Sequence, residues 1–167
     1  NNLYSIKKLK NKKYKNLVHI SYQLRNLPLV QYLKFNLNKK IGKVKFINII
    51  HYTNLNNSKN HLSSWWYDYK NAGTQTYAVV SHFLDLLLFL NILDDKTKNL
   101  KIINRNKFKT HRNKIISSDI EILKNNSNFL KIYSTSDTNI KSSLSIDIFG
   151  NESSIKILDF NKLIISK

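Results

Sequence analysis

Apolar and polar positions along this chain follow three patterns. Residues 77–93 (YAVVSHFLDLLLFLNIL) form the most apolar stretch, and from Phe83 to Leu93 only Asp85 and Asn91 are polar. Tyr77, Ala78, Val79 and Val80 make a short aromatic and β-branched run, which predicts a strand. Ser81 follows, and its hydroxyl suits a helix N-cap. A helix apolar on nearly every side has to be buried on nearly every side. It is shorter than the roughly 20 apolar residues a bilayer crossing needs. The pattern therefore predicts a central helix packed on a sheet.

A second pattern has helical spacing. Leu24, Leu27, Leu29, Val30, Leu33 and Leu37 make a stripe interrupted by Pro28, which either starts a helix in its first turn or breaks one. The third pattern is short and alternating. Residues 44–52 (VKFINIIHY) read as a strand, with Val44, Phe46, Ile49 and Tyr52 available for a core face. Residues 100–103, 120–123, 129–133, 143–149, 155–158 and 163–166 read as further short strands between polar turns. The polar run 53–60 (TNLNNSKN) is the best boundary. The expected organisation is a basic N-terminal extension over 1–60 and a core domain over 61–167. The expected fold class is α+β: a small two-layer domain with a central buried helix on a mostly antiparallel sheet.

Charge changes this picture. The chain has 167 residues, 28 Lys and Arg against 10 Asp and Glu, and a net charge of +18. No carboxylate precedes Asp68, so the first third holds most of the excess. Such a balance repels itself unless a polyanion neutralises it; nucleic acid is the first expectation and an anionic membrane surface the second. The composition also carries a bias. Lys outnumbers Arg by 25 to 3, Asn and Ile are abundant, and there are 3 Gly and 1 Pro, as an A/T-rich genome would produce. That bias fits organellar genomes, and also some parasites and low-G/C bacteria.

The expected phosphate contacts fall in clusters. Lys7, Lys8, Lys10, Lys12, Lys13 and Lys15 form a basic arm interleaved with Tyr4 and Tyr14. Arg25 follows, then Lys39, Lys40 and Lys43 in a basic turn. Lys70 lies beside Trp65 and Tyr69, four residues apart on one helical face, where they could anchor a core or stack on unpaired bases. Arg105, Lys107, Lys109, Arg112 and Lys114 form the last basic loop, which holds two of the three arginines.

Catalytic signals are sparse. Cysteine is absent, which excludes disulfides and thiolate metal sites. The histidines at 19, 51, 61, 82 and 111 make no i, i+4 pair, and no HExxH, GxGxxG, GxxxxGK[ST] or GxSxG occurs. The expectation is a protein that is not an enzyme and uses no cofactor or metal.

One resemblance adds to this. Lys70-Asn71-Ala72 at the end of a helix, Val79-Val80-Ser81 leading into Leu84–Leu93, a short strand at 100–103, and Ile164-Ile165-Ser166-Lys167 together resemble the bacterial-type small-subunit ribosomal protein family eight. The resemblance covers 68–167, with no counterpart for the first 67 residues. It implies RNA contacts at Ser166 and Lys167. The combined expectation is a structural constituent of an organellar, mitochondrial ribosome. Its partners would be ribosomal RNA and neighbouring ribosomal proteins, with no small-molecule substrate and no membrane. The alternative is a non-catalytic accessory subunit of an organellar membrane complex.

Overall fold

A computed structural model describes residues 22–54, 75–93, 100–104, 110–111, 114–115, 117–125, 127–138 and 141–167. A 3-10 turn, Gln23–Asn26, leads into helix α1, Pro28–Ile41. Pro28 sits in the first turn of α1, where its missing N–H costs nothing. Val30, Leu33, Leu37 and Ile41 form the buried stripe of that helix. Strand β1, Val44–Asn54, comes next. A π-helical turn, Thr76–Val80, runs directly into helix α2, Ser81–Phe89. The remaining elements are strands: β2 Leu100–Asn104, β3 Thr110–His111, β4 Lys114–Ile115, β5 Ser117–Lys124, β6 Ser127–Thr138, β7 Ser143–Gly150, β8 Ser154–Leu158 and β9 Lys162–Ser166.

Among the described residues, seven strands form one sheet in the order β2-β5-β6-β1-β7-β8-β9, and β3 pairs with β4 separately. The β1–β6 pair is parallel and the other pairs in the large sheet are antiparallel. Register puts one set of side chains on the inward face. Ile47 lies between Leu130 and Ile148, and Ile49 between Ile132 and Ile146. Ile120, Ile122, Ile155 and Ile157 extend this layer across β5 and β8. It packs into one core with Val30, Leu33 and Leu37 of α1 and Phe83, Leu86 and Leu87 of α2. The described part is thus α+β, as expected.

The end of α1 shows why β7 ends where it does. A helix leaves its last carbonyls without partners. Here the turn after β7 supplies them: Glu152 N–H donates to the Ile41 carbonyl at 3.2 Å, and Ser153 Oγ donates to the Lys40 carbonyl at 2.6 Å. Gly42 caps the helix at φ +70°, a left-handed conformation that favours glycine.

Some expectations need correcting. Residues 77–80 are helical rather than a strand, because the 76–89 segment is one continuous helical run whose start lies against β5 and β6. Ser81 is the first residue of α2 and not its N-cap, which is Val80, already in the right-handed helical region. Strand β1, assigned from the sequence to an extension, occupies the centre of the sheet. Of the expected core set, Ile49 is buried and Val44 packs half-buried against the core, whereas Phe46 and Tyr52 are half-buried and Ile47 is the further fully buried residue. The expected helix around Trp65, Tyr69 and Lys70 lies outside the described residues, as does the arm over 1–16.

Candidate functional site

The inward face of the sheet changes character along its length. Toward the end of β1 the isoleucines give way to polar residues: His51 follows Ile47 and Ile49 at the same parity, facing Ser134 on β6 and Leu144 on β7. Ser118 pairs with Ser134 in the same row. Gln75, Ser117, Ser118, Ser134, Thr135 and Ser136 are all buried. Buried polar groups persist only when hydrogen-bonded, and these are. Gln75 Nε2 donates to Ser134 Oγ at 2.8 Å, Ser136 Oγ donates to Gln75 Oε1 at 3.0 Å, and Thr76 Oγ1 donates to Ser118 Oγ at 2.9 Å. The helical run that begins at Gln75 is therefore stitched to the sheet by polar contacts, and held further along by leucines.

A cavity of about 520 Å³ opens at this polar end. Its walls come from the 3-10 turn (Gln23, Leu24), the helical run (Ala78, Val79, His82, Phe83), the end of β1 (His51, Thr53), the start of β7 (Ser143, Leu144) and the β8–β9 turn (Asp159, Phe160). Two imidazoles and a carboxylate thus face one space, and no Lys or Arg is among the lining residues described.

Each group is held from behind. His51 Nδ1 is 2.9 Å from Ser134 Oγ, His51 Nε2 is 3.3 Å from Thr53 Oγ1, and the ring packs edge-on to Phe83 at 5.5 Å. The His82 ring packs edge-on to Tyr22 at 5.4 Å. Asp159 Oδ1 accepts from the Leu144 N–H at 2.7 Å. Asp159 and Phe160 both have positive φ, +47° and +58°, in a turn closed by Asn161 N–H to the Leu158 carbonyl. Phe160 is a bulky residue in a conformation bulky residues avoid, so this wall of the cavity carries backbone strain.

Burial pushes the His51 imidazole below its usual pKa, and the Asp159 carboxylate opposes this by favouring the charged ring. The unfolded chain therefore binds a proton at His51 more readily than the folded one. Stability is expected to be full above about pH 6.5 and to fall as pH drops from there to the lowered folded-state value. The slope is at most about 1.4 kcal/mol per pH unit. Urea midpoints measured from pH 7.5 to 5 should show this slope, and His51→Gln should flatten it. An equal slope in both proteins would contradict it.

Next in sequence to the lining residues Gln23 and Leu24, Arg25 meets Asp85. The guanidinium grips both carboxylate oxygens, with Nε to Oδ2 at 2.7 Å and Nη2 on Oδ1, and lies 5.7 Å from the centres of the Tyr22 and Phe89 rings. Asp85 is 6 % exposed. Arg25 was expected on phosphate; it instead neutralises a buried carboxylate of α2 and braces the 3-10 turn that forms one cavity wall.

The other expected phosphate contacts that are described lie in separate places. Lys39, Lys40 and Lys43 are exposed around the end of α1, at the opposite end of β1 from the cavity. Ser166 and Lys167 are exposed at and just beyond the end of edge strand β9. Lys114 lies in the two-residue strand β4. Lys7, Lys8, Lys10, Lys12, Lys13, Lys15, Lys70, Arg105, Lys107, Lys109 and Arg112 lie outside the described residues. No group of metal-ligating side chains occurs among the described residues, and no described helix is long and apolar enough to cross a membrane. No sequence motif marks His51 or His82. The parity of Ile47, Ile49 and His51 was the available signal for the first, and the position of His82 at the head of the apolar helix for the second.

No protein-family model matches the sequence, and no curated protein matches it. Solved structures do match the fold. A Thermotoga maritima protein described as an oxidoreductase superposes with a TM-score of 0.71 at 12 % identity, over 99 % of this chain and 50 % of its own. The WlbA dehydrogenase from Bordetella pertussis, in complex with NADH and UDP-GlcNAcA, matches at 0.68 and 14 % identity, over 90 % of this chain and 43 % of its own. A levoglucosan dehydrogenase, in complex with NADH and levoglucosan, matches at 0.66 and 15 % identity, over 86 % and 41 %. The chain spans half or less of the length of these structures. These matches overturn the expectations of a ribosomal protein, of a chain that is not an enzyme, and of an RNA partner with no small-molecule substrate. At this level of identity the likeness is one of fold: the described chain has the fold of part of a dehydrogenase-type protein.

Proposed function

We propose that this chain supplies the ligand-binding, sheet-bearing part of an oxidoreductase, with a neutral hydroxylated small molecule, such as a sugar or sugar derivative, in the 520 Å³ cavity. The carrying observation is the pair of imidazoles, His51 and His82, facing one cavity at the polar end of an otherwise apolar sheet face. A cavity of this size suits a small molecule, and a few convergent polar groups on mostly apolar walls would orient it. The lining described has no cation and includes the Asp159 carboxylate, which disfavours an anionic ligand. The solved complexes of similar fold, with levoglucosan and with L-sorbose, support a hydroxylated ligand.

The same solved complexes hold NADH, and the described residues do not fit it. A dinucleotide asks for a glycine-rich turn between a parallel strand and a helix N-terminus. The sequence has no such motif. A nicotinamide would have to be held by residues other than those described, and this chain's share is to bind and orient the ligand. His82 is placed to exchange a proton with a ligand hydroxyl, its ring set by Tyr22. On this reading the two helices form a single layer over the inward face of the sheet and leave the cavity at its margin.

Titration of the 15N-labelled chain with a panel of neutral sugars and polyols tests this. Shifts are expected at Val79, His82, Leu144 and Asp159 at up to millimolar ligand, within the usual range of substrate affinities. His82→Ala should weaken binding about tenfold, or roughly 1.4 kcal/mol. A panel in which every compound leaves those signals unmoved, or moves signals elsewhere, would overturn the proposal.

A further inference from the structure

We infer that His51 is held as the tautomer bare at Nδ1 and protonated at Nε2, fixed through Ser134 by Gln75, so that it offers the cavity a hydrogen-bond donor. Its part in binding rests on the cavity being a ligand site, as proposed above; the tautomer does not.

The argument follows one proton at a time. Gln75 is fully buried, and its amide is oriented by two contacts of opposite kind. Ser136 Oγ donates to its Oε1 at 3.0 Å, which turns its NH2 toward Ser134, 2.8 Å away. Ser134 Oγ therefore accepts from Gln75. Its own single proton is left for His51 Nδ1 at 2.9 Å. The opposite tautomer would make the Ser134 oxygen accept twice and send its proton elsewhere. Ser134 is fully buried, and among the described residues its hydroxyl has no third partner. That arrangement would strand a buried donor, which is unfavourable. With Nδ1 accepting, the neutral ring carries its proton on Nε2.

Nε2 lies beside Thr53, which lines the same cavity, and their 3.3 Å separation is long for a hydrogen bond. A ligand oxygen in the cavity competes for that proton on good terms. The lowered pKa of the buried ring keeps it neutral near pH 7, which preserves the tautomer. The two histidines then have different parts. His51 donates to a ligand oxygen and polarises it, while His82, on the helical wall, is the group left to accept a proton. Gln75 and Ser134 are positioning residues: they act on the ligand only through His51.

Two-bond 1H–15N correlation spectra of the full chain at pH 7.5 read the tautomer directly. The expected pattern is an unprotonated Nδ1 and a protonated Nε2 at His51. Ser134→Ala and Gln75→Leu should each lose that pattern and move both nitrogens toward averaged positions, with the His82 signals unchanged. A wild-type spectrum with the proton on Nδ1 overturns the inference, and it does so even if neither variant folds; it would mean that the Gln75 amide is turned end for end. Variants that fold and keep the wild-type His51 pattern also overturn it. Failure of the ligand reading would show separately, as a sugar panel that leaves the cavity signals unmoved while the tautomer stands.

Discussion

Replacing Arg25 with methionine is expected to lower the stability of the fold by about 2–4 kcal/mol, and adding Asp85→Leu is expected to restore most of the loss. Asp85 lies on the buried side of α2, beside Phe83, Leu86 and Leu87. Its carboxylate is tolerable there because the guanidinium covers both oxygens. Remove the cation and a charge is left buried without compensation, which is the costly half of breaking a buried pair. Arg25 itself is nearly half exposed, so the loss should fall short of that for a fully enclosed pair. The methionine can keep some of the packing on Tyr22 and Phe89 that the arginine stem provides. Urea unfolding of the two single variants and the double variant would give the coupling. A loss below about 0.5 kcal/mol for Arg25→Met would show an ordinary surface pair instead.

Gly150→Ala should cost about 3 kcal/mol, through backbone contact and not through lost flexibility. Gly150 has no left-handed torsion, so alanine is not excluded on conformational grounds. The obstacle is α1. A Cβ at this position would stand 1.9 Å from the Ile41 carbonyl oxygen and 2.7 Å from its carbon. A backbone carbonyl cannot rotate away as a side chain can. The helix end would have to retreat from the β7 turn, and the capping bonds from Glu152 and Ser153 to the Ile41 and Lys40 carbonyls would go with it. Ser145→Ala, on the outward face of the same strand, is the control and should stay within about 0.5 kcal/mol. A Gly150→Ala protein as stable as that control would show that α1 does not dock as described.

The strands from β5 to β9 were readable because alternation is local: each face of 117–124 or 143–150 declares itself within a few residues. Position in the sheet was not readable in the same way. Nothing within 44–54 says that its partners come from 127–138 and 143–150, so a polar loop after it looked like a domain boundary. Residues 77–80 misled for a related reason. Tyr, Val and Val favour a strand in isolation, but a helix already under way from Gln75 overrides that preference. Arg25 was misjudged because the sign of a charge does not name its partner, and Asp85 is sixty residues along the chain. The cavity was unreadable as a whole, since five separate segments meet there. Metal-ligand spacing does not single out its histidines; what does is that both line one space.

A strand at the heart of the sheet whose neighbours both come from the far half of the chain has a bearing on how the molecule forms. During synthesis β1 emerges with both of its edges bare and must wait for β6 and β7. The β5-β6 and β7-β8-β9 hairpins can close by themselves, over short loops, as each is made. Assembly of the centre is thus the slow, long-range step. Until then an isoleucine-rich ribbon stands exposed to its own copies, so misfolding during expression should begin at 46–50 and not at the outer strands.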